Sequence, residues 1–306
     1  MSVAGGWLRH AADAARLAAD RADLWLPGSL GALSYLAWLP LLLTVAALPR
    51  ASDLAFLGAQ LVSSGAFPWN LLMIATLATL SVIGACGVAA FGEAALLRAT
   101  GGGTPGRSLL RETEVALSIL LVALLPAVAV FAALAAGTAA VAPAEFGAPD
   151  LGGPLLLRIA GHLVPLLAAL GAMMVVGQAF GAAALRWATG PNAVPVGRAM
   201  RAGLRDLVRH PARRFGLAFA STLTDLLALA LTIALLRILW APIGAELAGG
   251  QSISLQALLL LVGFVAIWLA LVLASGALHA WVSAWWSLEL ARPGEEPRPV
   301  PQEANP

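Results

Sequence analysis

The chain has 306 residues, of which 60% are hydrophobic and only 11% charged, with a mean hydropathy of +0.87. Soluble domains carry roughly a quarter charged residues, so this composition excludes an ordinary soluble enzyme and points to a polytopic membrane protein. The net charge of +2 sets eighteen basic residues, every one an arginine, against sixteen acidic ones.

A charged leader comes first. Arg9 and Asp13, and Arg16 and Asp20, stand four residues apart, the spacing at which opposite charges support a helix. Six segments then carry the ~20 apolar residues needed to cross a bilayer, with cores at 30–48, 69–92, 115–142, 159–185, 215–241 and 255–286. The first is read as a retained span, because it follows the charged leader and lacks a small-x-small cleavage site. Stretches rich in Gly, Pro and Ala at 51–67, 143–153 and 242–254 are predicted outer loops. Pro40, Pro126 and Pro165 fall within spans and are expected to kink them. The segment PGEEPRPVPQEANP over 293–306 has the composition of a disordered tail.

Sorting the arginines orients the chain. Fifteen fall on one side if both termini are cytoplasmic, leaving Arg50, Arg158 and Arg237 on or near the other. This is the asymmetry of the positive-inside rule. Trp69 and Trp240 then mark outer boundaries, and Trp25, Trp187, Trp285 and Trp286 inner ones.

An internal likeness sets the organisation. Residues 90–101, AFGEAALLRATG, and 179–190, AFGAAALRWATG, share nine of twelve positions. Each follows a long apolar run and precedes a Gly-Arg pair, at Gly106-Arg107 and Gly197-Arg198. Repeated units of about 1–105, 106–195 and 196–292 are expected. The predicted fold is therefore all-α: one transmembrane domain over 1–292, a bundle of six membrane helices in two or three repeated two-span units, with both termini cytoplasmic.

Residues 196–209, VGRAMRAGLRDLVR, place Arg198, Arg201, Arg205 and Arg209 on one helical face. Val196, Met200, Leu204 and Leu207 fall opposite. A basic amphipathic helix beside a span belongs in the cytoplasmic interface. With Arg213 and Arg214 it forms a candidate site for anionic lipid headgroups or a partner protein.

Charges inside spans are costly and mark functional candidates. Asp225 and His279 lie near the expected midplanes of spans five and six. Ser221, Asp225 and Thr232 share one face; Ser275, His279 and Ser283 share another. These consecutive antiparallel spans are expected to bring Asp225 and His279 together. Glu93 is read as snorkelling to the inner interface, since its counterpart in the second copy is Ala182. Gly177 and Gly181, beside Gln178, are spaced for close helix approach. Cys86 is alone, and the four histidines lack ligand spacing. No catalytic set, cofactor motif or nucleic-acid signature emerges.

The run VPVGRAMRAGLRDLVRHPARRFGLAF at 194–219 resembles bacterial six-span membrane families, including the membrane domain found beside glycerophosphodiester phosphodiesterase domains. There, too, a basic amphipathic helix precedes a span. The resemblance implies a topology and a bacterial cytoplasmic membrane, and no activity. The expected function is non-enzymatic organisation of lipid or partner proteins through the basic helix. The alternative is a permease, or a permease subunit working with a cytoplasmic ATPase or another membrane subunit, with a polar path near Asp225 and His279.

Overall fold

The computed structural model describes residues 3–32, 38–45, 51–100, 103–146, 155–190, 192–248 and 254–290. Every regular element among them is helical. Helix α1 (Val3–Asp20) leads through a short 3-10 turn, Ala22–Leu24, into α2 (Trp25–Ala32), α3 (Trp38–Val45) and α4 (Ala51–Ser63). Then come α5 (Trp69–Ala99), α6 (Leu109–Phe146), α7 (Leu155–His162), α8 (Val164–Ala188), α9 (Val196–Arg209), α10 (Pro211–Ala248) and α11 (Leu255–Leu290).

Five of these, α5, α6, α8, α10 and α11, are long and apolar enough to cross a membrane. A helix satisfies its backbone polar groups internally, which hydrocarbon demands. The most apolar stretch of α5 buries nothing within the chain, and Leu72, Leu77 and Leu80 stand exposed along it. In water such a surface is untenable; in lipid it is the solvent-facing side. The molecule has the architecture of a multi-pass integral membrane protein.

The expected first span, 30–48, lies partly outside the described residues, as do Arg50, the tail 293–306 and part of the loop 143–153. All three expected outer loops are helical in part. Residues 51–63 form α4, and Pro143 and Pro242 lie inside α6 and α10. Their flanking residues are mostly apolar or alanine, so the helices run on past the outer boundary. Pro165 does not kink a span: the expected fourth span is broken into α7 and α8, and Pro165 sits in the first turn of α8. There its missing N–H costs nothing.

Packing is concentrated at one end. Buried residues of α5 run from Ala90 to Leu97, and those of α8 from Gly177 to Ala188. They meet the beginning of α6, the lower part of α10 and the last turns of α11. The other end holds two separate clusters. Leu236, Ile243 and Phe264 join α10 to α11 with Leu41 of α3 against them, while Ile159 and Leu163 pack on Leu134 and Val141 of α6.

The N-terminal helices clamp the packed end. Trp281 Nε1 donates to the Ala11 carbonyl at 2.9 Å, and Trp7 packs on Trp285 with centroids 4.7 Å apart, so α1 lies along the end of α11. Trp285 and Trp286 are buried there, at 4% and 2% exposure, and not spread as an interfacial belt. Helix α2 wedges between α11 and α5 through glycines. A methyl at Gly28 or Gly276 would strike the backbone of the other helix, and one at Gly92 would come within 2.7 Å of the Pro27 carbonyl. In the leader, Arg16 pairs with Asp13 at 3.7 Å, three residues away, in place of the expected four-residue pairs.

Candidate functional site

The two copies of the twelve-residue motif end their helices in the same way. Thr100 donates its backbone N–H and its hydroxyl to the Leu96 carbonyl, at 2.9 and 3.0 Å. Thr189 does the same to Leu185, at 3.0 and 2.9 Å. Ala90, Gly92, Ala94 and Leu96 are buried, and so are Ala179, Gly181, Ala183 and Leu185 at the matching positions. Small residues allow this. A methyl on Gly177 would strike the Ala123 carbonyl of α6, so α8 and α6 touch backbone to backbone at the expected Gly177–Gly181 spacing.

The copies differ at three positions, and two of those form an ion pair. Glu93 stands where the second copy has Ala182, and Arg186 where the first has Leu97. Arg186 Nη2 lies 2.9 Å from Glu93 Oε1 and donates also to the carbonyl and hydroxyl oxygens of Ser283, each at 2.9 Å. Ser283 Oγ donates to Glu93 Oε1 at 2.9 Å, and His279 Nε2 lies 3.3 Å from Glu93 Oε2. Three helices, α5, α8 and α11, are thus joined by one buried polar network. Glu93 does not snorkel: α2 covers it, with Gly92 against Pro27 and Gly31 against the His279 ring.

This network floors a cavity of about 400 Å³ between α5, α6, α8, α10 and α11. Asp225 projects into it from α10, and Leu120, Leu124, Met174, Leu226 and Leu229 supply apolar wall. On the same wall, Thr222 Oγ1 donates to Gln178 Oε1 at 2.6 Å. Arg186 and Trp286, two of the residues around the cavity, each hold a buried donor, Nε and Nε1, that reaches no acceptor. Asp225 and His279 share the cavity, yet the expected pair does not close: His279 is held by Glu93, whose fixed position on α5 supplies the nearer carboxylate. Nor do the polar stripes form one path. Ser221 and Ser275 turn back to the carbonyls of Leu217 and Leu271, leaving Ser283 as the serine in the network. Residue counting does not centre Asp225 or His279 either, since α10 and α11 are about 57 and 54 Å long against a ~30 Å hydrocarbon core.

The basic helix is reshaped in the same manner. Ala199, Gly203 and Leu207 are its buried residues, and a methyl on Gly203 would come within 2.8 Å of Ala184 N. So α9 packs antiparallel along the end of α8. Leu204, expected on the protected face, is 54% exposed, and Val208 is 71% exposed. The cause is the small-residue column: only Ala199 and Gly203 let α9 approach α8 closely, which rotates Leu204 outward. Arg214 is buried, its Nε and Nη2 bonding Asp206 at 2.6 and 3.3 Å. Arg213 pairs with Glu289, a fully buried carboxylate that also meets His10 Nδ1 at 2.7 Å. Neither arginine is free for a headgroup. Arg198, Arg201, Arg205 and Arg209 are exposed, with no side-chain ion pair or hydrogen bond among the described residues.

Sequence reasoning missed Glu93, Arg186, Gln178 and Thr222 as a group. The signal was present: Glu93 in the first copy and Arg186 in the second are charges of opposite sign that face alanine and leucine in the other copy. A comparison with protein-family models, with curated proteins and with solved structures finds no match. The class of protein therefore rests on the fold and the site: a multi-pass membrane protein with a largely apolar cavity, bordered by a buried polar network, among its long helices.

Proposed function

We propose that the chain is a permease or permease subunit of a bacterial cytoplasmic membrane, whose path runs through the cavity at Glu93, Arg186, Asp225 and His279. One observation carries this reading: four ionisable side chains converge on a cavity between apolar helices. Ionisable groups within membrane helices are expensive and cluster at substrate or ion pathways. A purely structural pair needs no empty volume beside it.

The test is accessibility. Thr222→Cys and Leu229→Cys, each in a Cys86→Ala background, are exposed to a membrane-impermeant maleimide in right-side-out and inside-out vesicles. Both positions line the cavity. Labelling of both from at least one face is the expected result. A cavity that stays unlabelled from both faces is not part of a path.

A second reading is favoured by the four partner-free arginines of α9. It makes that helix a cytoplasmic contact for anionic lipid headgroups, through which the protein organises lipid or a partner, such as an ATPase or another membrane subunit. The two readings concern different surfaces and are compatible. Six crossings, repeated two-span units and cytoplasmic termini belong to both.

A further inference from the structure

We propose that the cavity takes a hydrophobic organic cation, with Asp225 as its counter-charge. The proposal rests on the cavity being a binding site, and adds the sign and chemical class of what it binds.

The sign follows from counting which charges are already met. Glu93 accepts from Arg186 and Ser283 through Oε1 and faces His279 through Oε2. The positive charge of Arg186 is matched at 2.9 Å. The neighbours of Asp225 on the cavity wall, Thr222 and Gln178, are bonded to each other. Asp225 itself makes no hydrogen bond or ion pair among the described residues. A carboxylate in apolar surroundings with no contact partner, offset only by the attraction of His279 across the cavity, carries a desolvation cost, and a cationic ligand relieves it. The four ionisable groups sum to one negative charge when His279 is neutral and to zero when it is protonated. With Asp225 ionised, the site is therefore negative or neutral.

The wall decides the class. An inorganic cation asks for several oxygen ligands, and the oxygens of Glu93, Gln178 and Ser283 are already engaged. Leucines and Met174 line most of the remaining surface. Trp286, 2% exposed, closes the wall behind these side chains.

Tetraphenylphosphonium and tetraphenylborate test this directly, being alike in shape and opposite in charge. Binding of each is measured by equilibrium dialysis against the full chain in nanodiscs, with empty nanodiscs as the baseline for lipid partition. Saturable binding of the phosphonium is expected, weakened at least tenfold by Asp225→Asn and kept by Asp225→Glu. Arg16→Gln, at an exposed position on α1, is expected to leave it unchanged. If Asp225→Asn does not fold, Leu229→Trp, which fills the cavity, is expected to abolish binding. Preference for the borate, or phosphonium binding indifferent to Asp225→Asn or to Leu229→Trp, overturns the cation assignment and leaves the cavity reading standing. Saturable binding of neither probe removes both.

Discussion

Glu93 and Arg186 are each without a counterpart in the other motif copy, and each is the other's partner at 2.9 Å. Their cost and their value are therefore tied. Removing one partner of a buried pair leaves an uncompensated charge, which costs about 3–5 kcal/mol. Removing both with apolar replacements is often nearly neutral. Glu93→Ala and Arg186→Leu, which write each copy's residue into the other, are each expected to lower the thermal midpoint strongly. The double variant is expected to recover most of the loss, so that its cost falls well below the sum of the two single losses, the mark of coupled residues. Thermal unfolding in one detergent measures all three. Additive losses would mean that the pair is not coupled. Asp225 and His279 were legible in the sequence because a charge in a long apolar run is conspicuous. The partner of His279 was not, because Glu93 lies near a helix end, where a snorkelling carboxylate is the ordinary case. Only the contact with α2, brought in by Gly31 and Gly92 from far along the chain, makes that site an interior.

At the scale of elements, hydropathy identified the long helices and helical periodicity identified α9, since both are local properties. How the helices meet was less legible, because it depends on glycines placed opposite one another on separate segments. Gly177 announced itself by its four-residue spacing from Gly181. Gly28 and Gly276 did not, because close approach needs a small residue on both sides and sequence shows one side at a time. The rotation of α9 has the same origin, and it changes which charges are available. Arg214 is spent on Asp206, and Arg213 on Glu289. Arg198, Arg201, Arg205 and Arg209 remain, flanked by exposed Leu204 and Val208. Each arginine near an anionic leaflet contributes about 1 kcal/mol. Reversing Arg198, Arg201 and Arg205 to Glu therefore removes about 3 kcal/mol of attraction, a factor on the order of a hundred. Energy transfer from the protein's tryptophans to fluorescent phosphatidylglycerol, compared with the phosphatidylcholine analogue, is expected to lose its anionic preference in the variant. An undiminished preference would reject the lipid role of α9. Arg214→Glu is unsuitable as a control, because it breaks the Asp206 clamp between α9 and α10.

At the scale of the whole molecule, the number of crossings turns on parity. Five long helices alternating in direction would leave the chain's ends on opposite faces, and a sixth crossing would bring them together. Contacts within the structure bear on this without any membrane being drawn. His10 of α1 reaches Glu289, one residue before the end of α11, at 2.7 Å, so the N-terminal helix and the end of the last long helix occupy the same end of the bundle. Trp69 begins α5 at the opposite end, since Gly92 and Leu97 lie in the packed one. The chain from α1 to Trp69 must therefore traverse the bundle. Helix α2 lies beside Gly276 and Gly92 in the packed half, and Leu41 of α3 lies against Leu236 and Ile243 in the other half. Together they follow the route that the apolar run 30–48 suggests, although neither is long enough to cross alone. Alkaline phosphatase, active only outside the cytoplasm, and green fluorescent protein, bright only within it, are then fused after Asp20, after Ser64 and after Leu290. Fluorescence is expected after Asp20 and Leu290, and phosphatase activity after Ser64. The fusion after Ser64 is decisive, because it alone separates the two arrangements at the N-terminal side. If residues 25–45 only dip into the bilayer and return, Ser64 stays with Asp20, the five remaining helices carry Leu290 to the other face, and the contact between His10 and Glu289 cannot exist in the membrane.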